Sequence, residues 1–333
     1  MFSLFQSIFA RRATQDTGYP ESLVEAAIER AVDGTDPRLR ALSGYRKRLR
    51  EPVLHAVDHV VRLIDGLAAA VVVSGESYRG EPLLGAMFAS PRRMLEVLAN
   101  DRNIDAARRA ANTRHIALLV AQISEKHTLG IDQEEGMMKR DVRQTIVSFD
   151  EHRLVDPFTD ASETLRALKR RAFDHLLAQV LEAIGKRRDS RQELGGQRAL
   201  LKRKLSTLKA AGWNFDKEDA ATPDIAALER RLEEIEAGIN AIGADSETLE
   251  THLQMLTTAL GTAEQQLWIE PRSLILDHRN VLRSTPDSIA RPMSLQQLRD
   301  SRGGLAVILL LDIEFGSLPA KTDFFNVAKS YLR

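Results

Sequence analysis

The chain has 333 residues, 47 acidic side chains against 47 basic ones, 43% hydrophobic residues and no cysteine. That much apolar material can bury real cores in two or three units. Zero net charge argues against a bulk polyanion binder, and the lack of thiols excludes disulfides, cysteine nucleophiles and cysteine metal sites, as in a reducing cytoplasm.

The N-terminal segment, residues 1–18, places Phe2, Phe5 and Phe9 with Leu4 and Ile8 on one face of a short helix closed by Arg11 and Arg12. It reads either as an amphipathic contact with a membrane surface or partner groove, or as a terminus docked on its own domain. The positive charges follow the apolar part, which is the wrong order for an ordinary signal peptide. The longest apolar runs, 66–74 and 305–311, fall far short of the ~18 residues of a spanning helix.

Residues 19–113 carry helical periodicity. Pro20 opens a first helix with Leu23, Ala27 and Ile28, which the Gly34-Thr35-Asp36-Pro37 stretch ends. Leu39, Leu42 and Leu49 mark a second helix. Pro52 starts a third, with Val53, Ala56, Val57, Val60 and Leu63 as its core stripe. Ser90-Pro91 is a capping hydroxyl followed by proline at the first helical position. Within 114–158 the period changes to two. Ile116–Ser124, Thr128–Asp132 and Met137–Phe149, punctuated by Gly130 and Gly136, predict a small antiparallel meander of three strands.

Residues 159–268 read as a long antiparallel coiled-coil hairpin with arms 160–211 and 224–267. From Ile225 an apolar position recurs in steps of three and four: Leu228, Leu232, Ile235, Ile239, Ile242, then Ser246, Leu249, Leu253, Leu256, Leu260, Ala263 and Leu267. A sustained seven-residue repeat keeps one seam facing a partner helix, here about 65 Å long by helix rise. Phe173, Leu177, Val180, Ile184, Leu194, Leu201, Leu205 and Leu208 hold the same frame on the first arm, with Arg187, Arg191 and Arg198 inside it and Gly195-Gly196 interrupting the helix formers. Folding at 212–223 sets Leu201 opposite Ile235 and Leu205 opposite Leu232. It also brings Arg191 to Ser246 in a polar seam layer that can fix register. Trp213 and Phe215 then lie at the far tip, where they form either a local fold-back or a protein-contact site.

The tail, residues 269–333, is expected to be β-α-β and packed on the body. Ser273–Asp277 is its first strand, Leu295–Leu298 belongs to a short helix, and Leu305–Phe315 is a second, nearly all-apolar strand completing one mixed sheet with the meander.

Little here carries chemistry. His55 and His59, four apart on a helix, have the spacing of two metal ligands but no third ligand. Asp150-Glu151-His152-Arg153 and Asp156 crowd a strand end without a nucleophile. No nucleophile elbow, P-loop or GxGxxG precedes a helix. The basic stretch 186–209 resembles a polyanion-binding stripe, but the acidic stretch 218–250 answers it, as expected along a hairpin seam. YRKRLR at 45–50 is a second, smaller basic cluster.

The sequence therefore predicts a mostly α protein with a small β component (α+β). A helical N-terminal unit is followed by a small antiparallel β part, a coiled-coil hairpin and a β-α-β tail. The expected function is a non-enzymatic cytoplasmic scaffold or adaptor, acting through a protein partner or a homo-oligomer and needing no cofactor. A nucleic-acid- or anionic-membrane-associated protein using 186–209 is the runner-up, and an enzyme housed in the body is third.

Overall fold

The computed structural model describes residues 19–104, 114–134, 137–211, 225–242, 245–286 and 290–321. These form a mixed α+β fold in which helices cover both faces of one six-stranded sheet.

The sheet runs in the order β3-β2-β6-β5-β4, from Arg114–Glu134 (β2), Met137–Phe158 (β3), Leu267–Asp277 (β4), Ala290–Asp300 (β5) and Leu305–Glu314 (β6). All these neighbours are antiparallel, and the two-residue β1 (Val71–Val72) adds in parallel to β6. The expected three-strand meander is instead one long hairpin of two strands. Residues 125–127, the expected break between the first two strands, continue the ladder, and Gly130 sits at a register shift between Gly130 and Asp132, a bulge within it. Leu295–Leu298 is not helical either. Met293, Leu295 and Gln297 are buried in alternation, which is the period of a strand, so the tail supplies three antiparallel strands rather than β-α-β. The expected sharing of one sheet by meander and tail holds, through the β2–β6 pairing from Arg114–Glu314 to Ala121–Val307.

The near-continuous apolar run of β6 follows from burial on both faces. Leu118, Val120, Ile308 and Leu310 join one core with the large helices, while Ala117, Leu119, Val307 and Leu311 join the other with the short ones. The first core is built by α1 (Glu21–Asp33), α2 (Tyr45–Asp65), the base of α6 (Ala161–Ala211) and α8 (Asp245–Gly261). The second takes α4 (Pro82–Met87) and α5 (Pro91–Ala99), with α3 (Gly75–Gly80) alongside. Ser90 caps α5 as the sequence predicts, its hydroxyl accepting from the Arg93 amide. Pro52 does not start a helix. Helix α2 runs through it at the cost of one backbone hydrogen bond, which its buried stripe from Leu49 to Ile64 offsets.

The sheet also closes on itself. Residues 280–283 lie between the two outer strands: the Asp277 amide donates to Val281 O (3.1 Å) and the Arg283 amide to Ile275 O (2.8 Å) on the β4 side. On the β3 side, the Val147 amide donates to Asn280 O (2.9 Å) and the Leu282 amide to Thr145 O (2.8 Å). Arg272 of β4 accordingly reaches Glu125 of β2 at 2.5 Å, although two strands separate them in the sheet order. In a flat sheet that span would be about 14 Å, so this face is concave. Farther along β3, the outward-facing amide and carbonyl of Leu154 are taken by the Asp101 carboxylate (2.6 Å) and the Asn103 amide.

Helix α6 is unbroken through Gly195 and Gly196, which interrupt the run of helix-forming residues but not the expected arm. The return arm is described as α7 (Ile225–Ile242) and α8, and after a described break at Thr262 the chain forms a short α9 (Ala263–Gln266). Leu267, the last expected seam position, begins β4 because its side chain belongs to the sheet's core.

Candidate functional site

The two arms pair antiparallel within the chain. Phe173, Leu177, Val180 and Ile184 of α6 and Leu253, Leu256 and Leu260 of α8 are buried in the same core as α1 and α2, so the base of the hairpin is part of the body. Ion pairs fasten it there. Lys169, only 5% exposed, meets Asp65 of α2 at 2.7 Å, Arg30 of α1 pairs with Asp174, and Arg48 of α2 meets Glu250 of α8 at 2.5 Å. His252 of α8 is buried and lies 2.8 Å from Asp36, whose carboxyl the Arg38 guanidinium holds far below the usual range, against burial and with help from His252.

Beyond Ile184 the hairpin is a two-helix coil. Leu205 and Ile235 are buried, while Leu194, Leu201, Leu228, Leu232 and Ile239 are half-buried, and so is Leu249 at the start of α8. Two helices cover only one stripe of each other, so this gradation is what an isolated pair allows. Lys202 meets Glu236 across the seam at 2.8 Å, one residue on from the expected Leu201–Ile235 layer. The Lys202 ammonium lowers the Glu236 carboxyl, with Arg198 adding to it. Arg191 Nη1 donates to Thr248 Oγ1 at 3.1 Å, two positions from Ser246. The side chains of Ser246 and Ile242 lie outside the described residues, as do Trp213 and Phe215 at the tip, and Phe2, Phe5 and Phe9.

A second projection comes from the sheet. β2 and β3 pair as far as Glu134–Met137, well past Ala121, where β2 leaves β6. Its outer part carries Leu129 (63% exposed), Ile131 (54%) and Met138 (73%). Leu181 and Leu200, also exposed, lie on α6. Sequence reasoning missed this strand-borne group because it read the segment as a small meander of three strands, in which no part extends beyond the sheet.

The candidate metal ligands are not brought together. His55 Nε2 lies 2.7 Å from Glu264, and His59 Nε2 donates to Leu267 O at 2.7 Å. Burial pushes the His59 imidazole down, favouring that neutral donor. Asp58 accepts from Tyr19 at 2.9 Å, and Asp65 is held by Lys169. No group of three potential ligands occurs among the described residues.

The charged group at the end of β3 also disperses. Asp156 pairs with Arg171 at 2.7 Å and Glu151 accepts from Gln122, while the His152 ring stacks on Phe88 with centroids 4.6 Å apart. Burial lowers the His152 imidazole as well, against the Asp150 carboxylate and the Met87 backbone, which raise it. Among the described residues, no helix is long and apolar enough to cross a membrane. Compared with family models, with curated proteins and with solved structures, the chain matches none.

Proposed function

We propose that this protein is a scaffold or adaptor that works by protein–protein contact, with the two projections as its contact surfaces and a second copy of the chain as the first partner to test. The observation behind this reading is the distribution of exposed large hydrophobic side chains. Among the described residues, all but Val72 fall on the β2–β3 end (Leu129, Ile131, Met138) or on α6, Leu200 in the projecting arm and Leu181 at its base. Apolar groups gathered on projections cost solvation free energy unless a partner covers them. The cross-arm pair Lys202–Glu236 supports internal charge pairing along the arm over a free basic stripe.

The test is mass in solution by light scattering, together with affinity capture from the source cell. Four proteins are compared: the intact chain, a variant lacking 187–249, Leu129→Ser/Met138→Ser, and Trp213→Ala/Phe215→Ala. Loss of self-association or of a captured partner in a variant that keeps the intact protein's melting temperature supports the reading. Identical mass and identical partners in all four would refute it. A steeply salt-dependent shift with DNA, RNA or anionic vesicles, lost on deleting 187–249, would put the basic arm in its place.

A further inference from the structure

Where the sheet closes on itself, a cleft of about 810 Å³ opens between the short helices α3 and α4 and the turn 277–280. Met87, Phe88, Phe149 and Met293 give it an apolar floor. Three arginines line it from three elements: Arg79 from α3, Arg279 from the turn, and Arg291 from β5 on the same face as Met293. None of the three guanidinium groups has an ion-pair or hydrogen-bond partner among the described residues.

Two carboxylates share the lining, and one of them is spent. Burial would raise the Asp277 carboxyl, but the Val281 and Arg279 amides (3.0 and 2.8 Å) and the Arg283 guanidinium (3.0 Å) outweigh it and keep the group ionised. Asp150 alone is left to face three uncompensated cations.

The turn that presents Arg279 is fixed in place. Asn280 holds φ +58°, its amide donates to Asp277 O (2.9 Å), its side chain donates to Ala86 O of α4 (2.8 Å), and its carbonyl accepts from Val147 of β3. The backbone that carries Arg279 therefore needs no reordering when a ligand binds, which leaves only the side chain to be ordered.

We propose that this cleft binds a nucleotide-sized organic phosphate, with the arginines on the phosphate oxygens and the apolar floor under the non-polar body of the ligand. Guanidinium forks match phosphate oxygens two at a time, and the volume lies in the range of small-molecule sites. A single-stranded polymer fits less well. Strand-binding grooves track several nucleotides with a ring for each successive base, whereas this cleft of about 810 Å³ has the size of one small-molecule site.

The experiment is calorimetric titration of the full chain with ADP and, separately, inorganic pyrophosphate at low salt. The same titrations are run on Arg79→Ala, Arg279→Ala, Arg291→Ala, the triple variant carrying all three, and the control Arg153→Ala, an exposed arginine of β3 outside the cleft. ADP should bind more tightly than pyrophosphate because only ADP uses the floor. Each cleft substitution should weaken ADP roughly tenfold, as loss of a charge-assisted hydrogen bond does, and the control should leave it unchanged. All three arginines are exposed, so unfolding is not expected, and circular dichroism checks each variant. The proposal is overturned if neither compound binds the intact protein at millimolar concentration, or if the triple variant keeps the affinity for ADP. It is equally overturned if oligothymidylates displace ADP with an affinity that grows with their length, which would make the cleft a polymer site.

Discussion

Replacing Gly195 and Gly196 together with alanine should make the projecting arm more stable without touching the body. Both lie inside α6, and a Cβ built on either meets no heavy atom within 4 Å. No clash offsets the gain in helix propensity, which is about 1 kcal/mol per Gly→Ala site, or about 2 kcal/mol for the pair. At 1.4 kcal/mol per factor of ten, opening of the arm should become about 30-fold rarer. Because the seam here is stabilised by α6 and α7 packing on each other, the arm opens as its own unit, below the free energy of global unfolding. The assay is amide hydrogen exchange by mass spectrometry. Peptides from α6 beyond Ile184 and from α7 should exchange about 30-fold more slowly, while those from β2, β6 and α2 keep their rates. Faster exchange in the arm would mean that the glycines mark a real break with positive φ, and the reasoning from helical geometry would be refuted.

Leu256→Ala, at a site fully buried between α8 and the body, should cost ~2–5 kcal/mol and lower the global melting temperature; Leu205→Ala should instead lower protection only in the arm. A shared effect on the body would mean that arm and body unfold as one. Asp101→Ala strips the Leu154 amide of its acceptor and should destabilise by ~1–3 kcal/mol in urea unfolding, more than Asp101→Asn, which can still accept. Stability should fall with acid in two stages. His59 and His152 have imidazoles lowered chiefly by burial, so the unfolded chain takes up their protons first and stability declines as pH drops through about 6.5. Asp36 and Asp277 are held below the usual carboxylate range, so their contribution is present above about pH 4 and disappears below it. Urea midpoints from pH 8 to pH 3 should show both declines, with the first reduced in His152→Gln and the second in Asp36→Asn; a flat profile would contradict the assignment.

The seam was legible because its signal is local and repeated. Leu228 through Leu260 declare a period of 3.5, and Phe173 through Leu205 declare the same period on the partner. Strand β5 was not, since Ser-Leu-Gln-Gln-Leu has the composition of a helix and only its pairing with Ile269 and Val307 makes it a strand. The continuity of β2 was hidden at Glu125-Lys126-His127, whose polar side chains look like a loop and are strand only by their pairing with Thr145–Val147. Closure of the sheet through Ile146 and Val281 had no signal in either segment, being a consequence of curvature. The arginine cleft was invisible for the same reason: Arg79, Arg279 and Arg291 acquire a common purpose only once α3 and the end of β4 are neighbours.

The pairing of β2 with β6 has a consequence for how the chain is made. Arg114 leaves the ribosome long before Glu314, its partner, so β2 spends most of synthesis with one edge uncovered. Pairings so distant in sequence close slowly, and an open apolar edge in the meantime is an aggregation hazard. The arm shortens that search. Its contacts are between helices joined by a short connection, so it can zip before the sheet exists, and its bases at Phe173 and Leu256 share one core. Once zipped, it acts as a clasp: the chain between β3 and β4 is reduced from a loop of about a hundred residues to a fixed, narrow gap. The entropy of closing that loop has then been met by helix packing, and the last three strands are delivered to the hairpin that awaits them.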